Sequence, residues 1–279
     1  KYSRDPIASI ADLVSQGASL AATVNLSASP YHADKVSTRI EVCRKAAAIL
    51  QHPFLLANQV GGNDDLLFDG CSLVAWPNGE VVVAPSWQEG ALIVDLDMPN
   101  NCRWVPLDDG NVLSIGEDQI KFLPSGNDGR ESSADLVEDI TDAVITGLAD
   151  YCRKSGIKSI VLGLSGGIDS AVAACVAAAA VGPENVLGIA MPSRFSSQHS
   201  LEDAEYTATA LGLEFIVEPI DNLHNKLDQQ FSTLLQNGNP IASENIQSRL
   251  RGIIVMAHAN AQNRMAIATG NKSELAQGY

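Results

Sequence analysis

Ser159-Ile160-Val161-Leu162-Gly163-Leu164-Ser165-Gly166-Gly167-Ile168-Asp169-Ser170 is the stretch that decides the fold. A short apolar run, a pair of glycines and then the Ala-rich segment Ser170–Val181 read as strand, turn and helix in direct succession. A helix opening at that point offers unpaired backbone N–H groups and the positive end of its macrodipole, and the glycines let an anion come close to the backbone. Ser165 and Ser170 add hydroxyl groups, and Asp169 adds an oxygen for the magnesium that accompanies a triphosphate. The loop is not a Walker A motif, because no lysine follows Gly167. Gly163-Leu164-Ser165-Gly166-Gly167 also satisfies G-x-S-x-G, the nucleophile elbow of serine hydrolases, with His199, His224 or His258 as the base. A turn that merely packs a helix against a sheet is the third reading. Residue types alone leave all three open.

Outward from this loop the pattern repeats. Asp135–Lys154 reads as a helix, Val186–Met191 as a buried strand, Leu201–Leu211 as a helix and Glu214–Pro219 as a strand. Short apolar strands alternating with helices imply a parallel sheet covered on both faces, so a doubly wound α/β domain is expected. Toward the N-terminus, Pro6–Gln16 and Lys35–Gln51 carry helical apolar stripes, the second through Val36, Ile40, Cys43, Ala47 and Leu50. Leu20–Leu26, Phe54–Val60, Cys71–Trp76, Val81–Pro85 and Ala91–Leu96 read as strands, with Pro77-Asn78-Gly79 as a hairpin turn. Three prolines and the run Ser125–Gly129 weaken the pattern between the two regions. The expected division is a first domain over 1–97, a linker over 98–132 and a second domain over 133–279.

Composition narrows the function classes. The 279 residues hold 33 Asp and Glu against 18 Lys and Arg, a formal charge of −15, which argues against a general nucleic-acid binder. The longest apolar run, Ala171–Val181, falls short of the roughly 18 residues of a membrane span. Five cysteines without a C-x-x-C pair signal neither a disulfide framework nor a zinc site and fit a reducing compartment, hence a cytoplasmic location. A first residue of Lys1 and a last residue of Tyr279 just past a polar, Gly-bearing stretch lead to the expectation of a chain truncated at both ends.

Ser165-Gly166-Gly167-Ile168-Asp169-Ser170 resembles the pyrophosphate loop of the N-type ATP pyrophosphatases. Met191–Ser200 followed by Glu202-Asp203-Ala204, then Glu244–Arg251, then Ala268–Glu274 resemble three further blocks of the NAD synthetase branch, in the same order. Asn25–His32 with Lys35, Gly61–Asp64 and Phe68-Asp69-Gly70 resembles the later half of a nitrilase-type glutaminase. That combination is similar to the glutamine-dependent NAD synthetases. The resemblance implies an α/β chain in which the C-terminal part of a nitrilase-like sandwich precedes a doubly wound ATP-pyrophosphatase domain.

It also implies a ligase. Nicotinic acid adenine dinucleotide would be amidated to NAD through an adenylated carboxylate, with ATP and Mg2+ required and ammonia drawn from glutamine in the intact enzyme. The implied ATP contacts are Gly163, Leu164, Ser165, Gly166, Gly167, Ile168, Asp169, Ser170 and Thr269, with Asp169 and Glu274 as metal ligands. Asn245, Arg249 and Glu274 match positions for the dinucleotide, with Arg251 beside them, and Ser29 and Lys35 match positions that hold glutamine. On residue type alone the two arginines suit a solvated helix face, and Ser29 suits a capped turn. The family's Glu, Lys and Cys triad would lie ahead of Lys1, so no catalytic residue is assigned, and Cys43 and Cys71 read as buried structural thiols. His199 falls in a block resembling a lid over ATP. The family also implies a homo-oligomer when intact. The remaining alternatives are a serine hydrolase and a nucleotide-binding remnant without turnover.

Overall fold

The structure, a computed structural model, describes residues 5–108, 111–112, 121–125, 133–236 and 241–277. The chain forms two compact units, 1–147 and 148–279.

The first unit begins with α1 (Pro6–Ser15), whose entry is fixed by Pro6 in the first turn and by Asp5, which accepts the Ile7 N–H at 2.9 Å. Then come β1 (Thr23–Ser27), α2 (Lys35–Leu50), β2 (Phe54–Asn58), β3 (Val60–Asn63), β4 (Leu66–Asp69), β5 (Leu73–Ala75), β6 (Val81–Val83), β7 (Gly90–Val94), β8 (Cys102–Asp108), β9 (Asn111–Val112) and β10 (Lys121–Leu123). Five of these strands make a mixed sheet in the order β1-β2-β5-β6-β10, with β1 and β2 parallel and the rest antiparallel. Strand alternation sorts its side chains. Leu73, Ala75, Val81 and Val83 pack with Ile40, Cys43, Ala47 and Leu50 of α2, whereas Val74 and Val82 point the other way and meet Leu92 and Val94 of β7. The expected Pro77-Asn78-Gly79 turn joins β5 to β6, and Gly79 has a φ of +88°. The segment 98–132 contains β8, β9 and β10.

Helix α3 (Ser133–Ser155) carries the chain into the second unit. There follow β11 (Ile160–Gly163), α4 (Ile168–Val181), a 3-10 turn at Pro183–Asn185, β12 (Val186–Ala190), α5 (Gln198–Leu211), β13 (Glu214–Val217), α6 (Asp221–Gln230), α7 (Ser232–Gln236), α8 (Ile241–Gln262), β14 (Met265–Ile267) and α9 (Lys272–Gln277). The sheet runs β13-β12-β11-β14 with every pairing parallel. Both faces are covered, as the sequence pattern predicted. Ile160, Leu162 and Leu164 pack with Ala174 and Ala177 of α4 and Ala204 and Ala208 of α5, while Val161, Leu187 and Ile189 pack with Ile254 and Ala259 of α8. The chain leaves β11 for β12 and β13, then returns to β14 on the other side of β11. This reversal opens a crevice beyond the C-terminal ends of β11 and β14, the place where open α/β sheets bind ligands. Among the described residues no helix is long and apolar enough to cross a membrane.

Candidate functional site

The glycine loop sits at that crevice. Leu164 prolongs β11 by donating its N–H to Ile189 O at 2.9 Å, and its side chain fills the space that a Cβ at Gly188 would need. Gly166 takes a φ of +81°, and a Cβ there would collide with the carbonyl oxygen of Ser200. Gly167 then caps α4 without any side-chain cap, so the first N–H groups of a 14-residue helix remain open to an anion.

Hydroxyl bonding tightens the loop. Ser170 Oγ donates to Gly167 O at 2.9 Å and accepts the Ser165 N–H at 3.2 Å. Its proton is therefore committed, and the 3.1 Å contact between the two hydroxyls has Ser165 as donor. Ser165 Oγ in turn accepts the Gly167 N–H at 3.1 Å. No imidazole among the described residues bonds Ser165. His258 pairs with Glu218 at 2.7 Å, His224 is fully buried beside Ser243, and exposed His199 lies 3.5 Å from Glu202. The left-handed residue of the turn is Gly166 rather than Ser165. The arrangement lacks the base and the strained serine of a nucleophile elbow.

A cavity of about 660 Å³ opens beside the loop. Its floor is formed by Gly163, Leu164, Ala190 and Ile267 at the strand ends, and one wall by Ser248, Arg251, Gly252, Val255 and Met256 of α8, spaced as one helical face. The volume lies in the range of small-molecule sites, and the mixture of an apolar lining with few polar groups suits a flat heterocycle carrying an anionic tail. Arg251 Nε donates to Met191 O at 3.2 Å, and partial burial draws the guanidinium pKa below its ordinary value. Thr269 also lines this cavity.

At the mouth, Asp169 and Glu274 are both exposed and both hydrogen-bonded to Asn271. Asn271 Nδ2 donates to Asp169 Oδ2 at 3.2 Å, and the Asn271 N–H donates to Glu274 Oε2 at 3.0 Å. Sequence reasoning gave Asn271 no role, although the Asn-x-x-Glu spacing of a helix-capping box was legible at 271–274. Asn245 and Arg249 are exposed on α8, where Arg249 Nη1 donates to Asn245 O at 3.0 Å, and neither lines the cavity. Arg194 fastens the Met191–Ser197 loop to α6: its N–H donates to Asp221 Oδ1 and its guanidinium to Asn225 Oδ1, both at 2.9 Å. Among the described residues no three His, Cys, Asp or Glu side chains cluster as a metal cage.

In the first unit Ser29 is held from three directions. Its N–H donates to Asn58 Oδ1 at 2.9 Å, its hydroxyl accepts from Arg39 Nε at 3.3 Å, and its carbonyl accepts from Arg39 Nη2 at 3.1 Å. Arg39 is anchored by a buried ion pair with Asp69 at 2.7 Å. Because Ser29 Oγ already accepts from Arg39, its own proton is available to a ligand. Lys35 Nζ donates to Pro30 O at 2.9 Å, which closes the same turn. Nearby, Tyr31 Oη and Trp87 Nε1 each donate to the Asp139 carboxylate at 2.7 Å, and the two rings meet edge to face. Cys43 is 2% exposed, and burial pushes its thiol up to about 12. Such a thiol is no nucleophile at neutral pH.

Comparison with known proteins follows this division. Residues 140–279 match the NAD synthase family, and residues 7–104 match the carbon–nitrogen hydrolase family. The glutamine-dependent NAD(+) synthetase of Synechocystis sp. is 39% identical over 273 residues, 96% of this chain and 44% of that protein. Its counterpart from Thermotoga maritima is 38% identical over 91% of this chain and 46% of its own length. The solved structure of the Acinetobacter baumannii glutamine-dependent NAD+ synthetase in complex with ADP superposes with a TM-score of 0.78 at 31% identity, over 98% of this chain and 47% of that one. The chain thus spans less than half the length of these relatives.

Proposed function

We propose, on the premise that the chain belongs to the NAD synthase family and carries a carbon–nitrogen hydrolase region ahead of it, that it serves the ATP-dependent amidation of nicotinic acid adenine dinucleotide to NAD. The observation that carries this reading is the uncapped N-terminus of α4 behind Gly166, at the edge of the 660 Å³ cavity. The division of labour is a portion, over 1–97, of the glutaminase domain that supplies ammonia in the intact enzyme but whose triad these residues lack, and a synthetase part over 133–279, joined through 98–132.

In the first step a nicotinate carboxylate oxygen bonds to the α-phosphorus of ATP, and the α–β bridging oxygen leaves with pyrophosphate. In the second, ammonia bonds to the acyl carbon, AMP departs, and the amide nitrogen gives up a proton to solvent. Two anions must meet, so the chain's task is to offset charge and exclude water. The N–H groups of Ile168, Asp169 and Ser170 receive phosphate oxygens, with Gly163, Leu164, Ser165, Gly166 and Gly167 setting the path of the loop, and Thr269 contacts the nucleotide from beyond the end of β14. The apolar lining around Leu164 and Met256 takes the adenine.

Asp169 and Glu274 suit magnesium: both are hard oxygen donors, and each has one carboxylate oxygen with no hydrogen-bond partner among the described residues. Two carboxylates beside substrate phosphates are the usual protein share for this ion, which would neutralise charge on the triphosphate. Asn245, Arg249 and Glu274 hold the dinucleotide, and Ser29 and Lys35 hold glutamine through a hydroxyl and an ammonium on one turn. The five cysteines, none in a disulfide, support a cytoplasmic location, and the intact protein is a homo-oligomer in this reading.

Calorimetric titration with Mg·ATP tests the proposal. Binding in the micromolar range is expected, together with AMP formation only when the nicotinate dinucleotide is present. Binding without AMP would leave a nucleotide-binding remnant, and no binding would sink the proposal.

A further inference from the structure

Among the described residues Asn271 makes three hydrogen bonds, and two of them belong to its helix. Its Oδ1 accepts the Glu274 N–H at 2.9 Å and its own N–H donates to Glu274 Oε2 at 3.0 Å, a reciprocal capping box that starts α9. The third bond has no part in a cap. Asn271 Nδ2 donates at 3.2 Å to Asp169, a residue 102 positions earlier on α4. The orientation of the amide is set by chemistry: a backbone N–H must meet the oxygen of the side chain, which leaves the NH2 end for Asp169. One neutral residue therefore holds one oxygen of each of two exposed carboxylates brought from distant parts of the chain, Asp169 through its side-chain amide and Glu274 through its backbone N–H.

We infer that Asn271 is a positioning residue for the metal site, fixing Asp169 Oδ2 and Glu274 Oε2 so that the second oxygen of each is left for the cation that accompanies ATP. Two carboxylates drawn to one place repel each other. The two donors of Asn271 offset that repulsion without adding charge, so both carboxylates are ordered before the cation arrives. Partners of this outer kind orient the ligands that touch the ion, and losing one typically weakens metal binding about 10- to 100-fold. A residue that only capped α9 would be replaceable by any good cap.

The inference rests on the proposed metal site, and the experiment separates the two. Binding of Mn2+ to the chain, in the presence of the αβ-methylene analogue of ATP, is followed by the electron paramagnetic resonance signal of free Mn2+. Asn271→Ser keeps a capping oxygen but is too short to reach Asp169. Asn271→Gly, also tolerated at a cap, serves if the serine variant folds poorly. Either is expected to weaken Mn2+ binding about tenfold, with circular dichroism and metal-free nucleotide affinity unchanged within about twofold. Mn2+ affinity within twofold of the parent in both variants overturns the inference. Asp169→Asn and Glu274→Gln then decide where the fault lies: if they lose Mn2+, the site stands and only the role of Asn271 falls. If they retain it, the metal site falls and the role of Asn271 with it.

Discussion

Gly166 and Ser200 meet backbone to backbone: the α-carbon of the glycine, at a φ of +81°, lies against the Ser200 carbonyl in the first turn of α5. The contact shapes the phosphate loop by bracing its sharpest bend against a helix. Gly166→Ala must therefore accept both a left-handed backbone and a collision with a main-chain atom, which has no rotamer to escape into. A loss of about 1–3 kcal/mol is expected from the backbone conformation alone, with more from the collision. Thermal denaturation with and without ATP checks this, since the variant should melt several degrees lower and show no nucleotide-dependent rise.

The hydroxyl chain makes a second forecast. Ser165 gives its proton to Ser170 and receives the Gly167 N–H, with no base at hand. A fluorophosphonate probe should leave Ser165 unlabelled in peptide mass spectra. An adduct on that residue would restore the serine-hydrolase reading.

Arg251 and Arg249 are only two residues apart on α8 but should behave differently. Arg251 lines the cavity and braces Met191 O, whereas Arg249 is exposed outside it. Hydrogen bonds to charged groups contribute about 1.5–3 kcal/mol, so Arg251→Ala should weaken ATP binding about 10- to 100-fold in calorimetry. Arg249→Ala should leave ATP affinity within about twofold, and a loss of binding to the nicotinate dinucleotide alone would support its proposed role.

Cys43 predicts a slope at high pH. Its thiol is held up at about 12 by burial, against an ordinary value of 9.0, so the unfolded chain releases this proton before the folded chain does. The contribution is whole below pH 9 and is lost as the pH climbs toward 12. Urea midpoints measured from pH 7 upward should fall beyond about pH 9, and Cys43→Ala, though less stable throughout, should fall less steeply. Parallel slopes for the two chains would contradict this assignment.

Much of the fold was legible because it rests on local chemistry. Gly-Gly after an apolar run could only be a turn into a helix, and the stripe Val36, Ile40, Cys43, Ala47, Leu50 described α2 nearly to its last residue, Leu50. Strand ends were less legible: the expected Leu20–Leu26 became Thr23–Ser27, since pairing with Phe54–Asn58 rather than hydropathy sets the register. The site shows the same limit. Loop residues adjoin one another in sequence and were found together, but Arg39 was given no role, because Asp69, the partner with which it is buried, lies 30 positions on. Asn271 was overlooked for the same reason, because its partner on α4 is set by sheet topology and leaves no mark on the residues around it.

The return of the chain from β13 to β14 also sets the order in which the site is built. During synthesis the loop that would receive phosphate emerges a hundred residues before Met265, Ala266 and Ile267 can pair with Ile160, Val161 and Leu162. Until that pairing, the cavity lacks the side formed by Ala266–Thr269, and nucleotide has only half a mould to occupy. On the proposed function, ATP would recognise a finished sheet and favour its completion: at a hundred times its dissociation constant it would stabilise the closed unit by about 2.7 kcal/mol relative to states with β14 undocked. Hydrogen exchange along β14 should accordingly slow most when nucleotide is present, which would make the proposed substrate the last piece of the fold as well as the first reagent of the proposed reaction.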